Sequence, residues 1–263
     1  MIKLIATDMD GSFLRDDMTY DEAKFKRLHA KMQHYGIQWV VASGNQYYQL
    51  KSFFKAYPDT IYVSENGALI RDEHQIYAMH QFESTTVAQI LAIITAMPTL
   101  QILVCGAKSA YALKTMAPAH VTEMRKYYHH LAVVDDFANI HDYILKFAIS
   151  CPPAQTQVIV DQLRDKLGDL GEPTSSGHGD IDIIQPGLNK AAGLKELGQL
   201  LHVNLTEMCA FGDGGNDLEM LREVGLGVAM QNAQPAVTAV ADRSTDSNQD
   251  QGVLNFISEA LEA

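Results

Sequence analysis

The stretch Ile5-Ala6-Thr7-Asp8-Met9-Asp10-Gly11-Ser12-Phe13-Leu14 decides the fold. An apolar run from Ile2 to Ala6 spells a buried strand, and it empties into two aspartates one residue apart. Along an extended chain residues i and i+2 point the same way, so Asp8 and Asp10 project together from the strand end. Gly11 then lets the backbone turn without a Cβ penalty. Carboxylates at the carboxyl end of a parallel strand stand where open α/β sheets bind ligands. Such a pair can hold Mg²⁺, attack phosphorus or do acid–base work. Taken alone, D-x-D-G is equally an Asx-type turn after a strand.

Working outward, Thr19 and Glu22 fit a capping box ahead of a helix over 20–35, which Gly36 stops. A second buried strand over 37–42 ends at Ser43-Gly44-Asn45, a helix covers 47–56, and a third strand over 61–64 ends at Glu65-Asn66-Gly67. Short strand–helix–strand units predict a parallel, right-handed, doubly wound α/β sheet of the Rossmann-like kind. A hairpin over 68–80 follows. Near Ser84 the pattern changes. Helices over 85–96, 118–129 and 155–167 alternate with strands over 101–104, 111–113, 131–134, 145–149 and 181–184. That alternation predicts an α+β layer, a mostly antiparallel sheet with helices on one face. The doubly wound pattern then resumes: helix 190–201, strand 208–211, Gly212-Asp213, helix 216–224, strand 226–229 and a last helix 253–261. The expected organisation is a core of residues 1–83 and 187–263, with residues 84–186 inserted as an α+β domain.

Composition narrows the function. A chain of 263 residues suits two domains, and its 47% hydrophobic content can fill both cores. No apolar run approaches the ~20 residues that span a bilayer, and Asp8 arrives before any secretory h-region could finish. The expectation is a soluble, cytoplasmic protein with no membrane partner. A net charge of −12 argues against nucleic acid. Cys105, Cys151 and Cys209 lack C-x-x-C spacing and read as buried hydrophobes, with neither zinc nor disulfide. Oligomeric state is not written in the sequence. An anionic substrate would require a metal and a few placed cations to reverse the local field.

The strand ends supply those groups: Asp8-x-Asp10, Ser43-Gly44, Asn66-Gly67 and Asp213-Gly214-Gly215-Asn216-Asp217, with Lys190 opening the helix after the insertion. In a parallel sheet they lie along one edge, and together they suggest phosphoryl transfer. Asp8 and Asp213 offer the carboxylates Mg²⁺ prefers. The Ser43 hydroxyl and the amides beside Gly44 can cradle phosphate, Lys190 adds a compact charge, and Asn216 an amide donor. An aspartate can be the nucleophile, and its partner can move the proton. Taken singly, each has a plainer reading: Lys190 a solvated helix residue, Asp213 and Asp217 turn and N-cap residues, Ser43-Gly44 an ordinary loop, His178 a loop residue, Cys105-Gly106 a strand end. Gly212-x-Gly214 is no dinucleotide fingerprint, because Asp217 occupies the third glycine's place.

With these motifs in order, the whole chain resembles the Cof-type phosphatases of the haloacid dehalogenase superfamily with a C2-type cap, close to the bacterial sugar phosphatases. The segment Val40-Val41-Ala42-Ser43-Gly44-Asn45-Gln46-Tyr47-Tyr48 shares in the likeness. The resemblance implies an Mg²⁺-dependent phosphatase of small phosphorylated metabolites, sugar phosphates above all, working through an aspartyl phosphate. Asp8 would be the nucleophile and Asp10 the general acid/base. Asp8, the Asp10 backbone carbonyl and Asp213 would hold Mg²⁺. The Met9 backbone, Ser43, Gly44, Lys190 and Asn216 would bind phosphate, and Asp217 would stand behind them. Two departures stand out. Ser12 replaces the commoner threonine and keeps the hydroxyl, while Asn45 replaces the arginine of many relatives, which suits a neutral sugar at the mouth. Two rivals remain: a phosphomutase or phosphotransferase with the same aspartyl phosphate, and a non-catalytic receiver-like module, for which an insertion of this size has no evident use.

Overall fold

The computed structural model describes residues 1–97, 100–177 and 179–262, so His178 lies outside the described residues. In chain order the first elements are β1 (Leu4–Thr7), α1 (Glu22–His34), β2 (Gln38–Ala42), α2 (Tyr47–Phe53), β3 (Ile61–Ser64), β4 (Leu69–Arg71) and β5 (Ile76–Met79). Then come α3 (Ser84–Thr95), β6 (Gln101–Gly106), β7 (Ala110–Leu113), α4 (Pro118–Met124), β8 (Leu131–Val134), β9 (Ile144–Ser150) and α5 (Thr156–Leu167). The last are β10 (Glu172–Gly177), β11 (Asp180–Ile184), α6 (Lys190–Leu201), β12 (Met208–Gly212), α7 (Leu218–Glu223), β13 (Leu226–Ala229), α8 (Pro235–Thr238), β14 (Arg243–Ser244) and α9 (Gly252–Glu262).

These strands form two sheets, ordered β14-β13-β12-β1-β2-β3-β4-β5 and β10-β11-β9-β6-β7-β8. The first is parallel from β14 to β3 and ends in the antiparallel pair β4–β5. Its central strands are buried on both faces, as parallel strands between helices must be. Leu4, Ala6, Val40, Ala42, Met208 and Ala210 pack with Leu194 and Leu197 of α6 and Leu221 of α7. Ile5, Trp39, Val41, Cys209 and Phe211 face the other way, towards Phe25 and Leu28 of α1 and Leu254 and Ile257 of α9. Phe13, just past the paired aspartates, is wedged against Tyr20, Phe25, Trp39 and Phe54, with ring centroids 4.9–5.5 Å apart. The loop that follows β1 is thereby anchored in the core.

The second sheet is antiparallel except for β7–β8, which run parallel. Helices α3 and α5 cover one face through Ile90, Ile94, Ile159 and Leu163. The other face carries Met116, Tyr128 and the α4 residues Val121 and Met124, so helical cover is not confined to one side. β10 carried no signal because Glu172-Pro173-Thr174-Ser175 has no apolar alternation and a proline, a pattern that edge strands tolerate. β14 pairs only two residues, too few to show a period. At α1 the expected capping box gives way to Asp21, whose side chain accepts from the Lys24 amide, while Thr19 turns back to Asp17. None of the three cysteines is bonded to another.

Candidate active site

β1 and β12 are neighbours although far apart in sequence, and chain order departs in opposite directions from them. Their carboxyl ends form the topological switch point, where α/β sheets bind ligands. Asp8 and Asp10 follow β1, Asp213 follows β12, Ser43 follows β2, and Asn66 follows β3. The Asp8 amide donates to the Phe211 carbonyl (3.0 Å) and the Asn66 amide to the Ser43 carbonyl (3.0 Å), so adjacent loops are stitched together.

Lys190 is not the solvated residue that its sequence position suggests when taken alone. The Asn189 side chain caps α6 by accepting from the Ala192 amide, which places Lys190 at the first helical position with its side chain directed inward. It is fully buried, with Nζ 2.7 Å from Asp8 Oδ1 and 2.6 Å from Asp217 Oδ1. Burial alone would lower its ammonium pKa, but the Asp217 and Asp8 carboxylates outweigh burial and raise it. The second Asp217 oxygen accepts from the Asp213 and Gly214 amides, both at 3.0 Å. Asp217 is thus counter-ion to Lys190 and brace of the β12 loop.

One carboxylate oxygen each from Asp8, Asp213 and Asp217 lie within 4.8 Å of one another. With both Asp217 oxygens already engaged, Asp8 and Asp213 are the members with an oxygen to spare. Asp213 is oriented by Ser12, whose hydroxyl donates to Oδ1 at 2.7 Å. The hydroxyl that stands for threonine therefore has a definite task. Gly11 is at φ +77°, and a Cβ there would run into the Asp213 carboxylate. Crowding shows in the acidities. Burial raises Asp8 well above the ordinary carboxylate value against the pull of Lys190, with Asp217 and Asp213 adding to the rise. Asp213 is pushed up to about 7, by burial first and Asp217 second. Carboxylates held so close and so dry are ones that an oxygen-seeking divalent cation would relieve.

Asp10 lies outside that group and keeps solvent access. Desolvation by the surrounding loops raises its carboxyl, against the opposing effects of the Asn45 hydrogen bond and the Lys190 charge. Asn45 Nδ2 donates to Asp10 Oδ2 at 2.5 Å. Asn45 is thus turned onto Asp10. Ser43 Oγ accepts from the Asn45 amide at 3.1 Å, leaving its own proton to donate. Three amide side chains fix the turn after Asp10: Asn232 Nδ2 to the Gly11 carbonyl (2.7 Å), Asn248 Nδ2 to Leu14 (3.0 Å) and Gln251 Nε2 to Phe13 (3.4 Å).

The second sheet leans on this edge at three places. The Gln46 side chain pairs with the His130 backbone in both directions (2.8 and 2.9 Å), and Tyr48 stacks on the His130 ring at 3.6 Å. Gly215 is pressed against the Ser175 carbonyl. Lys146 and Asp182 meet Gly44 and Asn66. Sequence reasoning gathered Asp8, Met9, Asp10, Ser43, Gly44, Lys190, Asp213, Asn216 and Asp217 at one edge. It missed Ser12's hold on Asp213, Asn45's on Asp10, and the whole approach of Lys146 and Asp182. For Lys146 a signal existed: a lone charge inside the apolar strand Ile144-Leu145-Lys146-Phe147.

Residues 5–257 match the family described as haloacid dehalogenase-like hydrolase. The chain is 40% identical over 261 residues to the 5-amino-6-(5-phospho-D-ribitylamino)uracil phosphatase YbjI of Escherichia coli (strain K12), covering 99% of this chain and 96% of that protein. It is 25% identical over 273 residues to YitU of Bacillus subtilis (strain 168), a phosphatase of the same name, covering 97% and 96%. Among solved structures, SMU.1108c from Streptococcus mutans UA159 superposes over 100% of both chains with a TM-score of 0.95 and 33% identity.

Proposed function

The chain belongs to the haloacid dehalogenase-like hydrolases, as a phosphatase of small phosphate esters, and on that premise we propose that it removes phosphate from a phosphorylated sugar or sugar alcohol through an aspartyl phosphate on Asp8. The observation that carries this reading is Lys190, buried between Asp8 and Asp217 at the strand ends. An ammonium pinned to Asp8 Oδ1 fixes that carboxylate's orientation at the strand ends and favours its ionised form, as a nucleophile requires.

The residues fit a divalent cation. Asp8, Asp213 and the Asp10 carbonyl would hold Mg²⁺, which when bound neutralises the charge of carboxylates and phosphate so that the two can approach. The Ser43 hydroxyl, the Met9 and Gly44 backbone, Lys190 and the Asn216 amide would receive the phosphoryl oxygens. Asp8 attacks phosphorus, and the bond to the leaving oxygen breaks as Asp10 gives that oxygen its proton. Asp10, now a carboxylate, takes a proton from water. The resulting hydroxide attacks the aspartyl phosphate, releasing inorganic phosphate and restoring Asp8. The raised Asp10 carboxyl and the Asn45 bond to Oδ2 support this part, because they leave Oδ1 to carry the proton.

Residues 84–186 form the cap in this reading. Helix α3 begins at Ser84, while β11 ends at Ile184, six residues before α6. The first substrate to test is the phosphorylated ribitylaminouracil of the E. coli relative's name, beside hexose and pentose phosphates. Free phosphate should appear in an Mg²⁺-dependent reaction, with kcat/KM highest for one of these polyol esters. Formation of an isomeric phosphate without phosphate release would make the protein a mutase instead.

A further inference from the structure

A ring of polar contacts ties the inserted segment to the phosphate-site loops. Asn216 Nδ2 donates to Asn66 Oδ1 (3.1 Å), and Asn66 Nδ2 donates to Asp182 Oδ2 (2.6 Å). Lys146 Nζ donates to that same Asp182 oxygen (2.8 Å) and to the Gly44 carbonyl (2.7 Å). Lys146 and Asp182 belong to β9 and β11 of the second sheet; Gly44, Asn66 and Asn216 sit at core strand ends. Lys146 is 2% exposed, so its ammonium has been taken wholly out of water for these partners. The approach is close: a Cβ on Gly44 would stand 3.1 Å from Asp182 Oδ2 and 3.2 Å from the Asn66 amide. On the core side, Glu65 and Asn66 both adopt left-handed backbone (φ 52° and 55°). For side-chain-bearing residues this conformation is costly and needs compensation from its surroundings. That turn aims Asn66 at Asp182 and Asn216 together.

We propose that Lys146 is a positioning residue of the phosphate site, acting through the Gly44 peptide so that the phosphate loop takes its binding form only while the inserted segment is seated. A cation on the Gly44 carbonyl polarises the peptide it shares with Asn45. The Asn45 amide donates to Ser43 Oγ (3.1 Å), and a hydroxyl that accepts a strengthened bond donates better in turn. The chain from Lys146 through Gly44, Asn45 and Ser43 thus ends at the proton offered to phosphate. Its second branch, through Asp182 and Asn66, orients the Asn216 amide from the other side. This inference rests on reading Ser43, Gly44 and Asn216 as phosphate ligands.

Inorganic phosphate, as a competitive inhibitor of the Mg²⁺-loaded enzyme, separates the possibilities because it has no leaving group. In Lys146→Met, phosphate should inhibit about 10-fold more weakly, the scale of one hydrogen bond from a charged donor. kcat/KM should fall alike for a sugar phosphate and for a small aryl phosphate. Lys146→Cys treated with bromoethylamine, which rebuilds an ammonium at nearly the same reach, should recover phosphate inhibition. Asp182→Asn, which keeps the shape and Lys146 itself, should weaken it about threefold, and decides the matter should Lys146→Met not fold. An unchanged phosphate constant in folded variants, or a loss confined to esters with large leaving groups, overturns the proposal. Failure of the wild type to release phosphate from any ester would instead remove the phosphatase reading beneath it.

Discussion

Two lysines are buried among the described residues, each between two carboxylates, and they differ in what fixes them. Lys190 is held by Asp8 and Asp217, both from the first sheet's strand ends, at 2.7 and 2.6 Å. Lys146 comes from the second sheet and reaches Asp182 on its own side at 2.8 Å, and Glu65 across the boundary at 3.4 Å. Taking an ammonium out of water is costly unless its partners are near and its donors satisfied. The core lysine meets that condition whatever the inserted segment does. For Lys146, seating of the segment also supplies the Gly44 carbonyl and the Glu65 carboxylate. The charge facing Asp8 is therefore permanent, and the charge facing the Gly44 carbonyl depends on docking.

Removing the proposed nucleophile tests the permanent cluster most severely. Asp8→Asn should lower turnover by roughly 10⁴–10⁶-fold, the scale on which a lost nucleophile registers, with no phosphoryl adduct by intact-protein mass after acid quench. Residual turnover near the wild-type rate would detach Lys190's partner from the chemistry. Asp10→Asn comes next, at ~10²–10⁴ for lost acid–base catalysis. With an aryl ester whose leaving group needs no proton, only dephosphorylation should slow in that variant, so an adduct on Asp8 should build up. An adduct elsewhere would refute the assignment.

Lys190→Met should cost about 10²–10³ in kcat, the worth of one preorganised electrostatic contact. Unlike a solvated lysine, it should also cost stability, about 3 kcal/mol, because Asp8 and Asp217 are left buried without their cation. Urea denaturation with and without Mg²⁺ measures this. A variant as stable as wild type in the metal-free protein would mean that the two carboxylates share protons and do not need the lysine.

Legibility follows the same division. Asp8, Asp10, Ser43, Asn66 and Asp213 could be placed together because a parallel sheet brings all its carboxyl ends to one edge, and the period of the strands is visible in sequence. Lys190's proximity was readable on that basis, but its burial was not, since that depends on Asn189 capping α6 and turning the side chain inward. Lys146, Asp182 and Glu65 meet by docking of two separately built sheets. No local pattern encodes that, and 36 positions separate even Lys146 from Asp182. Asn45 shows a further limit. Its place in the motif was evident, yet whether its amide served the substrate or Asp10 was a matter of rotamer, decided by the neighbouring carboxylate.

The last expected effect, on stability alone and with no loss of turnover, bears on the weaker member of the docked cluster. Glu65 is 1% exposed, and its Oε2 accepts no hydrogen bond among the described residues. Burial first, then the Asp182 charge, push its carboxyl up to about 7 against the pull of Lys146, whereas a free glutamate titrates near pH 4.3. A native pKa above the unfolded one means that the folded protein binds this proton more tightly. The stability it lends is complete below about pH 4 and is lost as pH rises through 7. At 1.36 kcal/mol per unit the loss is on the order of 3 kcal/mol. Glu65→Gln keeps the shape and has no proton to lose, so wild-type unfolding free energy should drop relative to the variant between pH 5 and pH 8, with the two nearly equal at the acid end. The comparison of urea midpoints across that range decides it. Parallel curves would mean that Glu65 stays ionised beside Lys146, as tightly held as Asp217 is by Lys190. The docked cluster would then be as self-sufficient as the permanent one.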